Sequence, residues 1–165
     1  MYRRMSDRDV NAIVAYLRQV KPVRSTVPKS EYRIALPPDY GPPVAHVPDV
    51  PQNDRLAYGA YLAGPAGHCI ECHSPIGPTG PDIVNRLGTG GNEFPGPWGV
   101  SVSPNITPAG LAELSDADLR RMIAQGRRPD GTAMLPPMPY PYYASIRDED
   151  MDAIIAYLRS LPEKE

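Results

Sequence analysis

Gly67-His68-Cys69-Ile70-Glu71-Cys72-His73 is the stretch on which the reading of this chain turns. Two thiols stand three residues apart, and an imidazole follows directly on the second. On one helical turn both sulfurs can add to the two vinyl groups on one edge of a porphyrin. The next residue then carries an imidazole to the iron. Cys-x-x-Cys-His is therefore the attachment signature of a covalently bound c-type haem, with Cys69 and Cys72 as thioether anchors and His73 as proximal ligand. Two other chemistries use paired cysteines. A redox dithiol calls for alternating strands and helices, and no β-rich pattern is present. A structural zinc site calls for a second ligand pair, and only His46 and His68 remain to supply one. His68 abuts the motif, but its side chain is expected to point away from the iron and to lie as a polar group near the haem edge.

A six-coordinate haem needs a second axial ligand, and a methionine thioether would favour the ferrous state. Met1 and Met5 lie far from the motif in the chain, while Met122 and Met151 fit apolar helix faces. Met134 and Met138 remain, both in the segment 131–143. Met138 sits in Pro136-Pro137-Met138-Pro139, where flanking prolines fix the backbone and hold a sulfur at a set position. Met134 has no such frame, so Met138 is the expected distal ligand.

The rest of the composition agrees with a domain in need of a filler. Of 165 residues, 22 are Pro and 14 Gly, so secondary structure must be sparse. Ten Tyr accompany one Trp and one Phe, which leaves a thin aromatic core. A net charge of −2 argues against a nucleic-acid partner. No apolar run approaches the roughly 18 residues that would span a bilayer, and Met1-Tyr2-Arg3-Arg4 leads straight into polar sequence rather than a secretory signal. Paired catalytic acids, a nucleophile triad and a Walker loop are all lacking. Gly88-Thr89-Gly90-Gly91 only superficially resembles a dinucleotide loop.

Helical periodicity marks four segments. Residues 6–20 carry Val10, Ile13, Val14, Leu17 and Val20 on one face, with Ser6 as N-cap. A short helix is expected over 54–63, another over 116–125 with Ser115 as cap and Gly126 as stop, and a last one over 148–161. Arg147 is a poor N-cap for the last, so that end is expected to fray. Residues 22–51 hold eight of the prolines and read as an extended strap; residues 74–113 read as loop. The first and last helices are copies. Shifted by 141 positions, Tyr2, Asp7, Asp9, Ala12, Ile13, Ala15, Tyr16, Leu17 and Arg18 match Tyr143, Asp148, Asp150, Ala153, Ile154, Ala156, Tyr157, Leu158 and Arg159. The expected organisation is a terminal helix of a preceding repeat (1–23), a proline-rich linker (24–51) and a haem domain (52–162).

Several stretches carry a resemblance: Tyr58 through His73, Phe94-Pro95-Gly96-Pro97-Trp98-Gly99, Ser103-Pro104-Asn105-Ile106-Thr107-Pro108, and Pro137-Met138-Pro139-Tyr140 followed by the Ala-Tyr-Leu-Arg helix. In this order, over residues 36–162, the chain resembles the multi-haem cytochrome c subunits of bacterial membrane-bound periplasmic dehydrogenases. The resemblance implies an all-α, class I cytochrome c fold, loop- and proline-rich, with an extra N-terminal helix and an extended linker. It implies one covalent haem c per chain, held by Cys69, Cys72, His73 and Met138, with Trp98 and Asn105 near the propionates. Gly59 and Tyr157 are the expected contact where the first and last helices of the domain cross. The implied role is single-electron relay in the periplasm, from a dehydrogenase subunit to a downstream acceptor, without bond chemistry of its own. The absence of a signal peptide and of a preceding haem motif marks the chain as a fragment or an internal start. The other functional classes are a peroxidase-like haem enzyme with an open iron site and a haem-free dithiol or metal-binding module.

Overall fold

The computed structural model describes residues 1–33, 35, 36, 44–78 and 80–163. It divides into two compact units, Arg3–Asp49 on the one hand and Met1–Tyr2 with Val50–Glu165 on the other.

The smaller unit is built on α1 (Asp7–Gln19). The Ser6 hydroxyl accepts the Asp9 N–H at 3.3 Å, the side-chain cap its sequence called for. The strap returns to this helix start. The Asp7 N–H donates to the Val47 carbonyl at 3.0 Å, the Asp7 carboxylate accepts the Val47 N–H at 3.1 Å, and His46 Nδ1 meets the same carboxylate at 2.5 Å. His46 and Val47 together hold the Asp7 carboxyl below the usual carboxylate range. Between these ends the described strap residues form neither helix nor strand, as Pro22, Pro28 and Pro48 dictate. Pro37, Pro38, Pro42 and Pro43, part of the expected linker, lie outside the described residues.

The larger unit opens with α2 (Arg55–Tyr61), whose Asp54 carboxylate accepts the Ala57 N–H at 3.1 Å. Past α2 the backbone widens into a π-type turn over Leu62–Ala66, with Gly64 and Pro65 inside it. The haem motif follows as the single turn α3 (Cys69–Cys72). Beyond it lie two antiparallel ribbons: β1 (Ile76–Gly77) with β2 (Gly80–Pro81), and β3 (Glu93–Gly96) with β4 (Gly99–Val102). The chain is thus not built of helices alone. The segment read as loop contains strands too short to show an alternating pattern, closed by tight turns at Gly80 (φ +119°) and Gly99 (φ +91°). Three helices complete the unit: α4 (Asp116–Gln125), α5 (Tyr140–Tyr143) and α6 (Asp148–Arg159). Ser115 and Asp118 form a reciprocal capping box at the start of α4, and Gly126 ends it at φ +63°. Arg147 does not cap α6. Its guanidinium instead grips Asp150 through two bonds of 2.9 Å, and the helix begins at Asp148 as the pattern required.

The core is aliphatic: Ala63, Ile106, Leu111, Leu119, Met151, Ile154, Ile155, Leu158 and Leu161. Five of these come from α6 and the residues just after it, the face its periodicity marked. Burying each large aliphatic side chain is worth about 1.5–3 kcal/mol. Helices α2 and α6 cross at Gly59, where an added Cβ would sit 2.1 Å from the Ala153 carbonyl oxygen and 2.8 Å from Tyr157 Cβ. The expected Gly59–Tyr157 contact is therefore present, and only glycine allows it. Arg159 ties the end of α6 to the start of α4 and the loop before it by donating to the Leu111 and Leu114 carbonyls and to Asp116. Among the described residues no helix is long and apolar enough to cross a membrane.

Candidate haem site

The thiols arrive on a turn whose start is forced. His68, just ahead of Cys69, takes a left-handed backbone (φ 58°, ψ 15°). For a non-glycine residue this costs on the order of 1 kcal/mol. Its Nδ1 lies 2.5 Å from the Glu71 carboxylate, and its ring meets Tyr2 edge-on with centroids 4.7 Å apart. The Tyr143 hydroxyl, from α5, donates to the Gly67 carbonyl at 2.6 Å and so pins the approach to the motif. Burial pushes the Tyr143 phenol well above its ordinary range, so this donor keeps its proton. Cys69 and Cys72 are both free thiols, the first half-buried and the second exposed. Burial pushes the Cys69 thiol up to about 11. Cys72 is also raised, by burial and then by the Glu71 charge.

His73 ends the turn. Its N–H donates to the Cys69 carbonyl at 2.9 Å, and its Nδ1 lies 2.8 Å from the Pro104 carbonyl. A carbonyl oxygen can only accept, so Nδ1 carries the proton and Nε2 presents a bare lone pair. Burial lowers the imidazole pKa, against the raising effect of the Pro104 bond, which favours the neutral ring a metal requires.

The glycine run that superficially resembled a dinucleotide loop packs against this residue. The Gly90 N–H donates to the His73 carbonyl at 2.8 Å, and the Gly88 N–H donates to the buried Ser74 hydroxyl at 3.0 Å. Gly90 adopts φ +73°, and a Cβ there would fall 2.5 Å from the Ser103 carbonyl oxygen. Asn92 follows, its side chain donating to the carbonyls of the residues on both sides of His73, Cys72 and Ser74. Sequence reasoning missed this loop. Its signal was the pair of adjacent glycines, which mark a backbone that must approach another closely.

Both candidate sulfurs lie on half-buried residues. Met138 stands between prolines, and its carbonyl accepts the Tyr140 N–H at 3.0 Å, joining it to α5. Met134 is not unframed, as its sequence suggested. Its N–H donates to the Gly126 carbonyl at 2.8 Å, and the Arg128 guanidinium holds the adjacent Ala133 carbonyl at 2.7 Å. That loop is ordered by backbone bonds, which the side-chain pattern does not disclose. Asn105 spends its side-chain carbonyl locally, accepting from the Thr107 N–H at 2.8 Å and the Thr107 hydroxyl at 2.7 Å. Trp98 packs over Gly96, where a Cβ would meet its ring at 2.4 Å.

The cytochrome c family model matches residues 56–162, from the first turn of α2 past the end of α6. This chain belongs to the cytochrome c family. It is 38% identical over 117 residues to the gluconate 2-dehydrogenase cytochrome c subunit of Pantoea cypripedii, covering 68% of this chain and 25% of that protein. It is 32% identical over 120 residues to the cytochrome c subunit of a quinone-dependent alcohol dehydrogenase of Gluconacetobacter polyoxogenes, covering 71% of this chain and 24% of the relative. To the fructose dehydrogenase cytochrome subunit of Gluconobacter japonicus it is 31% identical over 190 residues, covering 99% of this chain and 36% of the relative. The chain thus spans about a quarter to a third of these relatives. All three are named as cytochrome subunits of dehydrogenases, a carrier's part in such complexes.

Cytochrome c membership implies a covalently held c-type haem, and the donor set fits one. Two free thiols share a turn, and the following imidazole has its Nδ1 committed and its Nε2 available. The other two histidines meet carboxylates, His46 that of Asp7 and His68 that of Glu71. Among the described residues no three His, Cys, Asp or Glu side chains converge to hold a metal.

Proposed function

We propose that this cytochrome c domain relays single electrons through one c-type haem in a class I fold. Cys69 and Cys72 would anchor it, with His73 and Met138 as its axial ligands. The observation that carries the reading is the His73 ring, held by the Pro104 carbonyl with its second nitrogen free, directly after two free thiols. When bound, a c-type haem supplies an iron that alternates between two oxidation states one electron apart. The protein's part is to hold rather than to react. His73 keeps a fixed tautomer, Pro104 makes its imidazole a stronger donor, and the half-buried phenol of Tyr143 retains its proton throughout. A thioether on the sixth position would close the iron to substrates, which separates a carrier from a peroxidase-like enzyme.

The relatives' names support a dehydrogenase subunit as electron donor; a downstream acceptor and a periplasmic place of work belong to the same reading of the domain as a carrier of covalent haem. The 99% coverage against the fructose dehydrogenase cytochrome subunit supports a counterpart for residues 1–23 in a longer cytochrome. It fits the reading of these residues as a terminal helix of a preceding repeat, followed by a linker over 24–51 and the haem domain over 52–162.

The test is the spectrum of protein matured in a periplasm that attaches haem c. It should show the haem c bands in alkaline pyridine, and its ferrous form should not bind carbon monoxide. A protein without haem bands would leave the dithiol reading standing. Rapid carbon monoxide binding would point to an open iron and the enzyme reading.

A further inference from the structure

The carbonyls of the two residues flanking His73 converge on one side chain. The Asn92 amide nitrogen donates to the Cys72 carbonyl at 2.8 Å and to the Ser74 carbonyl at 2.8 Å, so it brackets the histidine. Its amide oxygen accepts the Ile76 N–H at 3.1 Å, which turns the chain into β1. The backbone of Asn92 is equally committed. Its N–H donates to the Ser103 hydroxyl at 3.0 Å, and its carbonyl accepts the Ser103 N–H at 2.9 Å. Ser103 immediately precedes Pro104, whose carbonyl holds the His73 ring.

We propose that Asn92 is a positioning residue for His73, locking the ligand's backbone and the carbonyl that orients its ring to one another. This rests on the reading of His73 as the iron ligand. The chemistry singles out asparagine. Two carbonyls must be met by donors while a neighbouring N–H is met by an acceptor, and a single primary amide supplies both. Aspartate has the shape but offers no donor, and it would set a carboxylate against two carbonyl oxygens. Without the bracket the His73 peptide can rotate away from Pro104, and the Nδ1–H bond weakens. That bond makes the imidazole a better donor to the metal, so weakening it destabilises the ferric form and raises the reduction potential.

The experiment compares haem-loaded parent, Asn92→Ala, Asn92→Asp and Leu119→Ala, the last a core truncation in α4 that touches none of these hydrogen bonds. The readouts are hydrogen exchange of the His73 Nδ1–H by NMR of the ferrous protein, and the midpoint potential. In both Asn92 variants the exchange should quicken by about tenfold, the scale of one lost net hydrogen bond, and the potential should rise; Leu119→Ala should show neither. Exchange and potential equal to the parent in the Asn92 variants, or changes matched by Leu119→Ala, would overturn the proposal. If Asn92→Ala retains no haem, Asn92→Asp is read alone by the same two measures. Failure of both to retain haem while Leu119→Ala does so would assign Asn92 to folding and equally overturn it. If the ferrous parent itself shows no histidine N–H displaced by the porphyrin ring current, the reading of His73 as ligand fails rather than the role of Asn92.

Discussion

His73 and the methionines pose opposite problems at the scale of single residues. The imidazole follows its thiols in sequence, so its place is set by chain connectivity. The sulfur must come from more than sixty residues away, so its place is set by whatever orders the loop that carries it. Met138 is ordered by prolines on both sides, and Met134 by the Gly126 carbonyl and the Arg128 guanidinium. The prolines restrict the backbone in the unfolded chain as well as the folded one, which lowers the entropy lost on ligation. On that ground Met138→Ala should lose the sulfur-to-iron charge-transfer band, lower the potential and gain carbon monoxide binding. Met134→Ala should keep all three properties of the parent. The reverse pattern in the two variants would move the ligand to Met134. What could be read from sequence here was chemistry at fixed spacing: Cys69, Cys72 and His73. What could not be read was hydrogen bonding across distance. Pro104 and Gly90 act on the motif through backbone groups, and Asn92 and Tyr143 through side chains distant from it in the chain, so none of these bonds shows in the spacing of residues. The left-handed backbone of His68 is equally silent in the sequence.

Among the elements, capping and periodicity were legible and short structure was not. The boundaries of α4 follow from Ser115 and Gly126, and those of α1 from Ser6 and the strap prolines. The ribbons and the single turns α3 and α5 are too brief to display a period, so the segments that hold them look like loop. The repeat relation between α1 and α6 adds a contrast. Met151, Ile154, Ile155 and Leu158 of α6, with Leu161 just after it, are buried, whereas their counterparts in and just after α1 are between 38% (Val14) and 60% (Leu17) exposed. The same stripe is a core face in one helix and a solvent face in the other, which sequence alone could not distinguish. For α6 the decisive partner is α2, and the crossing depends on the missing side chain of Gly59. Gly59→Ala would gain helix propensity, since alanine is about 1 kcal/mol better than glycine inside a helix. It would also drive a methyl group to within 2.1 Å of the Ala153 oxygen, a backbone atom that cannot rotate aside. Overpacking of this kind costs about 1–3 kcal/mol, and the helices must part for the methyl to fit at all. Net destabilisation should therefore appear in denaturant melts of the haem-loaded protein, with the apparent gain from propensity erased. A variant as stable as the parent would show that α2 and α6 are not locked at this point.

For the whole molecule, the question is what fills the haem domain. Its core is aliphatic and small, and among the described residues of the domain the largest side chains sealed completely from solvent are Met151, Thr107 and Ser74. Large apolar residues such as Val84 and Tyr142 remain more than four-fifths exposed. The domain also carries much of the chain's Gly and Pro, so few of its backbone groups are stabilised by regular ladders. A domain of about 110 residues must offset roughly 1–2 kcal/mol of backbone entropy per ordered residue, and a thin core leaves little margin. A haem bound covalently would add a large apolar plate to that core and would also cross-link Cys69, Cys72 and, through its axial bonds, His73 and Met138. The loss of both effects should be visible together. The double variant Cys69→Ala with Cys72→Ala, purified free of haem, should show weak, gradual loss of helical circular dichroism on heating, against a sharp transition in the haem-loaded parent. The two alanines alone do not explain such a change, because Cys72 is exposed and Cys69 is only half-buried, and surface truncations usually move stability by about 0.5 kcal/mol or less. A cooperative melt of the haem-free variant close to that of the parent would mean that the aliphatic cluster around α6 suffices to specify the fold, with the cofactor a passenger in a domain already complete.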